Sequence, residues 1–301
     1  MGGAATVLHP VDPTSTDSQY ESFPGTVVLA FRSDIGSTPA MSRTPGTLRA
    51  GVLLLLAIPA MTGATLRFEE GVARNPDYNA VLYREQHWLR SVGDRPVERL
   101  VLYLCPDGQA FGRKQVDYRR STAAPAFRFD DSRSGYSEGL RDEHGPEVFF
   151  RPGDGGAEKS AALRSKQLVV DAGFDEFIRS RWQTLMTDEP VALDFALPGR
   201  QQSVGFMVRR IGPARIAGES AWVFRLRIGG LLGWVAPHID VAYGQQSRRL
   251  LRFEGVSNIR DDSGRKHLLA RIDFPQPSRP VADGEWQTAM KTRLLACPVG
   301  H

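Results

Sequence analysis

The chain has few of the residues that build metal and nucleophile sites. It contains two cysteines and six histidines among 301 residues, and no histidine stands at metal-ligand spacing from another histidine or from a cysteine. It has no His-Glu-x-x-His motif and no Gly-x-Ser-x-Gly elbow. The glycines at 153–156 lack the lysine and helix that follow a phosphate-binding loop. The sequence therefore predicts no metal, no cofactor and no catalytic residue of these kinds.

Lysine is also scarce, with five lysines against 33 arginines and a formal net charge of +4. The arginines are scattered between acidic residues rather than gathered into a basic stripe. No motif that reads DNA or RNA is present. Nucleic acid is therefore not an expected partner.

Long apolar runs are absent, and the run at 51–60 is too short to span a bilayer comfortably. Arg43 and Arg49 precede it, and Thr62 and Ala64 follow as small residues, which is the pattern of a secretory signal peptide. Since no cysteine follows the apolar core, no lipid-attachment site is predicted. We expect a signal peptide at 41–64 and a periplasmic or secreted protein without a transmembrane anchor. The alternative for the apolar run is a buried helix.

The first 40 residues are rich in Ser, Thr, Pro and Gly and show no apolar period, so they are expected to be disordered. Because a signal peptide works at an N-terminus, we expect translation to begin at Met41. The alternative is a cytoplasmic tail with 51–64 as an anchor. A single β-rich domain is predicted at 65–275, and a C-terminal tail with a short helix at 276–301.

The two cysteines, Cys105 and Cys297, permit one disulfide in an oxidising compartment. Two separate buried thiols fit the sequence equally well. The spacing alone does not decide between them.

Side chains alternate between apolar and polar along most of the domain, which indicates strands with one buried face. In the strand predicted at 221–228, for example, Phe224 and Leu226 oppose Arg225 and Arg227. In the strand predicted at 248–256, Phe253 is expected to be buried on the same face as Leu251. The predicted strands are 80–89, 97–105, 110–118, 126–130, 136–141, 148–151, 191–197, 203–210, 221–228, 238–243, 248–256 and 267–274.

The period changes to three and four between Phe174 and Met186, where acids precede arginines. This pattern predicts one amphipathic helix that begins near Gly173 and ends before Pro190. The predicted fold class is mainly β: a curved antiparallel sheet, or incomplete β-barrel, with one principal inserted amphipathic helix that covers one face or fills the open mouth.

The signal peptide, the curved sheet with its inserted helix and the late strand at 248–255 (RRLLRFEG) resemble the periplasmic lipoprotein-carrier superfamily of LolA, LolB and RseB-like incomplete barrels. The chain also resembles secreted proteins of proteobacteria. The resemblance covers residues 78–275 as architecture, and no diagnostic residue of the family can be placed on this sequence. It implies an apolar concave face that holds a lipid chain.

The loop between two predicted strands, 229–237, is apolar and has no charged residue. Its Leu231, Leu232 and Trp234 are the candidate ligand-binding residues, because an apolar connection on an exported protein either packs across the sheet or contacts lipid or a partner. The leading functional hypothesis is an exported, non-enzymatic protein that binds a lipid or acyl chain. A scaffold without ligand, which binds another envelope protein, is one alternative.

The other alternative is a secreted hydrolase. Five titratable residues would gather at one rim if the strands at 127–130 and 136–141 form a hairpin, and paired carboxylates can carry acid–base hydrolysis. These residues are Asp130, Asp131, Asp142, Glu143 and His144.

Overall fold

The structure, a computed structural model, describes residues 63–153, 155–230 and 238–299. Residues 1–62, which hold the N-terminal segment and all but the last two residues of the predicted signal peptide, lie outside these ranges. Within them, none of the helices combines the length and the apolar character that crossing a membrane requires.

The described ranges form sixteen strands and three α-helices. The strands are β1 (Ala64–Arg74), β2 (Val81–Val92), β3 (Arg95–Leu104), β4 (Ala110–Asp117), β5 (Ala126–Asp131), β6 (Tyr136–Arg141), β7 (Glu147–Arg151), β8 (Lys159–Ala162), β9 (Leu168–Val169), β10 (Val191–Leu197), β11 (Gln202–Ile216), β12 (Glu219–Ile228), β13 (Ile239–Gly244), β14 (Leu250–Arg260), β15 (His267–Asp273) and β16 (Arg279–Pro280). The helices are α1 (Phe174–Ser180), α2 (Trp182–Met186) and α3 (Asp283–Lys291).

All strands belong to one sheet whose middle is β1. From β1 the meander β2 to β8 extends in one direction, and β15 back to β9 extends in the other. Pairing is antiparallel except between β9 and β10. The short β16 pairs with β1 beside β15, at Arg67 and Phe68. The sheet is open, since its end strands β8 and β9 are not hydrogen-bonded to each other among the described residues, and the predicted mainly β incomplete barrel is confirmed.

The sheet is rolled so far that its two ends come close together. Only residues 163–167 connect β8 at one end of the sheet to β9 at the other. At about 3.3–3.6 Å per residue, such a connection spans at most about 20 Å. Gln201, after β10, also donates a hydrogen bond of 2.9 Å to the carbonyl oxygen of Ser160 on β8.

Helix α1 lies on the concave side, where it contacts distant parts of the sheet. Just before it, the carbonyl oxygen of Ala172 accepts a hydrogen bond of 2.7 Å from Tyr118, which follows β4. Asp175 in its first turn accepts one of 2.7 Å from Tyr243 on β13. Five strands separate β4 from β13 in the sheet order. The chain therefore fills its own concave face with this helix.

The apolar core on the concave side has two main parts, one in each half of the sheet. Helices α1 and α2 pack through Phe177, Trp182 and Leu185 against Phe224 and Leu226 of β12, and this confirms the predicted faces of both the helical segment and β12. A second cluster around Tyr83, Tyr103 and Phe129 fills the concave face of the other half of the sheet. Burial of each such side chain contributes roughly 1.5–3 kcal/mol.

Helix α3 lies on the opposite, convex face. Its Trp286 and Ala289 pack over Trp88 of β2 and Leu100 of β3. The segment after α3 is attached to the turn after β3, since Cys105 and Cys297 form a disulfide with a Cα–Cα distance of 6.2 Å. The two cysteines that the sequence left undecided are thus joined.

Two local predictions were wrong. The helical segment is not continuous, because it divides at Arg181, whose backbone N–H is shared between the carbonyl oxygens of Phe177 and Ile178. Leu251 and Phe253 do not share a face. A bulge shifts the register of β14 so that Tyr243 pairs with Leu250 while Ala242 pairs with Arg252.

The extra residue in this bulge is Leu251. It is fully buried in a small cluster with Ile216 and Ala221. Phe253 is only partly buried and packs against the concave-side clusters. A β-bulge has this effect because two residues on one strand oppose one residue on its neighbour.

Candidate functional site

The predicted ligand-binding residues Leu231, Leu232 and Trp234 lie in 231–237, outside the described residues. The structure places the ends of this loop at the surface, since both Gly230 and His238 are exposed.

The predicted hydrolase cluster is not assembled. The hairpin of β5 and β6 forms as expected, with Asp130 opposite Ser137. However, Asp130 and Asp131 precede the turn of this hairpin, whereas Asp142 follows the far end of β6. Six residues of strand at about 3.4 Å each separate the two groups by roughly 20 Å. That separation is too large for a pair of carboxylates acting on one bond.

The carboxylates near the turn also have other partners. Asp130 accepts hydrogen bonds from Arg128, and the buried Asp131 accepts a pair of hydrogen bonds from Arg133. The expected cluster does not form because two residues of a hairpin are adjacent only when they occupy the same end of its strands.

The concave side contains a network of buried charges that the sequence analysis missed. Lys114 on β4 is paired with Asp171, and Arg99 on β3 lies 3.4 Å from Asp175. Burial would raise the pKa of Asp175, but the positive charges of Arg179 and Arg99 and the hydrogen bond from Tyr243 hold it below its usual value. These pairs attach the helical segment to the inside of the sheet.

A second part of the network lies around Glu138 on β6. Burial raises the pKa of this carboxyl group above its usual value. The Tyr136 hydroxyl donates a hydrogen bond of 2.5 Å to it, and the guanidinium of Arg260 lies 3.9 Å from the centre of the Tyr136 ring. Glu138 and Arg260 thus both pack against Tyr136, as expected for a structural polar cluster.

A surface groove with aromatic residues in its lining lies instead on the convex face. One row of cross-strand neighbours runs from Leu100 on β3 through Gln115, Arg128 and Gly139 to Phe149 on β7. Helix α3 covers the beginning of this row and then ends. A groove of about 690 Å³ remains between α3 and Phe149, which is the size of a small-molecule site. We call it the α3 groove.

Its two walls are aromatic. Trp286 and Met290 of α3 form one wall, and the guanidinium of Arg90 stacks on the indole of Trp286 at 4.9 Å. Phe149 forms the other, with the guanidinium of Arg141 at 4.0 Å from its ring centre. Trp286 and Phe149 are themselves only 9% and 2% exposed, so arginine stems and guanidinium planes form much of the accessible surface of both walls.

Gly139 is what allows Phe149 to lie flat against the sheet. A Cβ atom at this position would be 2.6 Å from the Phe149 ring and 2.1 Å from the carbonyl oxygen of Phe127. No local pattern of residues indicates the groove as a whole, because its walls come from two segments more than a hundred residues apart. The periodicity predicted the parts of the groove separately, as the strands that carry its floor and as the short C-terminal helix.

One group of three side chains among the described residues has its potential ligand atoms close enough to hold a metal ion: Cys105, Asp107 and Cys297. The two sulfurs are bonded to each other. Only the exposed carboxylate is left as a charged ligand, so this group does not fit a metal ion.

No protein-family description matches the chain, and no curated protein is similar to it. Among solved structures, it is similar to a beta-barrel-like protein of domain of unknown function DUF1849 from Brucella abortus, with 6% identity, a TM-score of 0.42 and coverage of 72% of this chain and 96% of that one. It is also similar to a domain assigned to outer membrane lipoprotein sorting from Vibrio parahaemolyticus, with 7% identity, a TM-score of 0.23 and coverage of 77% and 92%. Both likenesses are too distant to transfer a function to this chain.

Proposed function

We propose that this chain is an exported, non-enzymatic protein of the cell envelope that binds an amphiphilic ligand through its acyl chain. The observation that carries the proposal is the α3 groove, with its walls of Trp286, Met290 and Phe149. Since both rings are buried, the apolar surface open to an occupant comes mainly from the partly buried Met290 and the arginine stems. Covering it favours an apolar occupant over water at roughly 25 cal/mol for each Å².

The position of the ligand differs from the one that the carrier resemblance implies. In this chain the concave face is filled by α1, α2 and the side chains packed against them. A ligand there would have to displace a helix whose Asp175 is paired with Arg99 and hydrogen-bonded to Tyr243. The α3 groove needs no such displacement, and we therefore place the acyl chain there.

The apolar loop at 231–237 stays in the proposal as a second contact. Leu231, Leu232 and Trp234 would meet a lipid surface or the ligand, since an indole suits a boundary between apolar and wet surroundings. Its exposed ends at Gly230 and His238 are compatible with this.

A brominated fatty acid tests both placements, because bromine quenches the fluorescence of a tryptophan that it touches. Dibromostearate should quench the wild-type protein, and Trp286→Phe should remove most of that quenching if the acyl chain lies in the groove. Trp234→Ala should remove most of the quenching if the acyl chain lies against the loop. The other three tryptophans, Trp88, Trp182 and Trp222, serve as the unchanged background.

A blocking variant gives the matched control. Gln115 is exposed in the floor of the groove, so Gln115→Trp should fill it and weaken fatty-acid binding at least tenfold without loss of stability. Gln202 is also an exposed glutamine in a strand, but it lies on β11. Gln202→Trp should leave binding unchanged. Equal binding by both variants and the wild type would contradict the proposed site.

Export is tested separately. The mature protein should begin near Thr65, as read by N-terminal sequencing of protein from the periplasm or the medium. A chain that retains Met1 and stays in the cytosol would contradict the export proposal. Native mass spectrometry of the exported protein should reveal a retained lipid, whereas the hydrolase and scaffold alternatives both expect the mass of the protein alone.

A further inference from the structure

The charges at one end of the α3 groove indicate which kind of amphiphile would fit. This inference rests on the proposed function, because it assumes an acyl chain between α3 and Phe149. The charges in question lie at the end of the groove where β4 and β6 end, next to the loop that follows β4.

Most charged side chains of the groove already have a partner of opposite charge. Glu98 accepts hydrogen bonds from Arg90 and Arg119, and Asp117 accepts one of 2.9 Å from Arg119. Arg128 is paired with Asp130. Exposed pairs of this kind are weak individually, but they leave little net charge for a ligand.

Arg120 is different, because its partners are uncharged. Its Nη1 donates hydrogen bonds to the main-chain carbonyl oxygens of Asp142 and Glu143. In the part of the chain that the structure describes, no carboxylate lies within salt-bridge distance of Arg120. The rest of its exposed guanidinium can therefore donate to an oxyanion, for which its planar geometry is well suited.

The two residues whose main-chain carbonyl oxygens Arg120 contacts are themselves acidic. Asp142 and Glu143 line the same end of the groove, and neither forms a salt bridge to another described residue. Once the paired side chains are set aside, Arg120, Asp142 and Glu143 leave one positive and two negative charges in the groove. A head group with only negative charge would be repelled by these carboxylates, and one with only positive charge would be repelled by Arg120.

We infer that the α3 groove selects an amphiphile with a zwitterionic head group, of the phosphoethanolamine type. The phosphate would accept hydrogen bonds from Arg120, and the ammonium would lie against Asp142 and Glu143. Selection against the other head groups would then come from repulsion as well as attraction.

Short-chain lipids below their micelle concentrations provide the test, by isothermal titration calorimetry on the full mature chain. The probes are dihexanoyl phosphatidylethanolamine, dihexanoyl phosphatidylglycerol and octyl maltoside. Wild-type protein should bind the ethanolamine lipid about fivefold more tightly than the glycerol lipid, which corresponds to one exposed charge interaction of about 1 kcal/mol.

Substitutions separate the two halves of the head group. Arg120→Gln should weaken binding of both phospholipids about fivefold and leave octyl maltoside unchanged, while Arg120→Lys should keep part of the affinity. Asp142→Asn with Glu143→Gln should weaken the ethanolamine lipid and strengthen the glycerol lipid, reversing the preference. Arg209→Gln, an exposed strand arginine on β11, should change nothing.

The two proposals fail in different ways. Equal affinity for all three probes, all lost in Gln115→Trp, would overturn the head-group inference and leave the acyl-chain site standing. Binding of no probe by the wild type would overturn both. Tighter binding of the glycerol lipid by the wild type would also overturn the inference.

Discussion

Tyr243 on β13 and Asp175 in the first turn of α1 are joined by a hydrogen bond of 2.7 Å, in which the tyrosine hydroxyl donates to the carboxylate. The same carboxylate faces Arg99 on β3, from the other half of the sheet. One side chain therefore connects the helix to both halves of the rolled sheet. Breaking it should loosen the helix from both.

Asp175→Asn should lower the free energy of unfolding at pH 7 by about 3 kcal/mol, because it keeps a hydrogen-bonding side chain but leaves Arg99 buried without a counter-charge. Denaturant unfolding measures this. Asp94→Asn, at an exposed turn position, is the control and should change stability by less than about 0.5 kcal/mol. An equal effect of the two substitutions would contradict the assigned pair.

The same carboxylate predicts a pH dependence. The pKa of Asp175 is lowered in the folded protein, from about 3.9 in an unfolded chain. Its ionised form therefore stabilises the fold fully above the unfolded-state pKa, and this contribution is lost as the pH falls through the folded-state pKa. Below pH 4 the stability of the wild type should fall more steeply than that of Asp175→Asn. Parallel curves for the two proteins would rule out this linkage.

The disulfide between Cys105 and Cys297 closes a loop with a sequence separation of 192 residues. Its removal by Cys105→Ser with Cys297→Ser should lower the free energy of unfolding by about 4 kcal/mol, since closing a long loop restricts the unfolded chain strongly. Thermal unfolding with and without reductant measures this. Reductant should shift the midpoint of the wild type and leave that of the double variant unchanged. A wild type insensitive to reductant would contradict the prediction.

The bulge in β14 can be checked by paired truncations. Leu251→Ala should cost about 3 kcal/mol, as for other fully buried leucines. Phe253→Ala should cost no more than this, although it removes more carbon atoms, because Phe253 is only partly buried. A clearly larger loss for Phe253→Ala would restore the regular register that the alternation of the sequence predicts.

Gly139→Ala should destabilise the protein by about 3 kcal/mol, because its Cβ would overlap the carbonyl oxygen of Phe127 and the ring of Phe149. It should also weaken fatty-acid binding by displacing the Phe149 wall. Gly284→Ala in α3 is the control: no atom lies within 4 Å of its added Cβ, and it should be neutral or slightly stabilising. An unchanged midpoint for Gly139→Ala would show that Phe149 does not lie over this glycine.

The periodicity of the side chains predicted twelve of the strands, most of which have one apolar and one polar face, while β3 is apolar on both. It missed β1, whose Glu69 and Glu70 interrupt the apolar positions. The glycine at position 71 of β1 is explained by packing and not by the alternation of side chains, because Phe274 and Ile272 occupy the space that a side chain would need. The periodicity also missed β8, β9 and β16, which are two to four residues long.

The candidate sites were harder to predict than the fold, for a geometric reason. The sequence grouped Asp130 with Asp142 because they are near in the chain, and the hairpin places them at opposite ends of its strands. Trp286 and Phe149 are far apart in the chain, and only the roll of the sheet and the position of α3 bring them to one groove. Local patterns carry no information on such long-range placement.

The central position of β1 has a consequence for how the protein folds. One edge of β1 pairs with β2 immediately after it, but the other edge pairs at Val72 with Asp273 and at Arg74 with Arg271. As the chain is synthesised, that second edge stays unpaired until nearly the whole domain has emerged. Such long-range pairing is slow, and an open central edge can pair with other chains in the meantime. Strand β1 therefore depends on the last part of the chain to complete its pairing. We expect the pairing of β15 with β1 to limit the rate of folding.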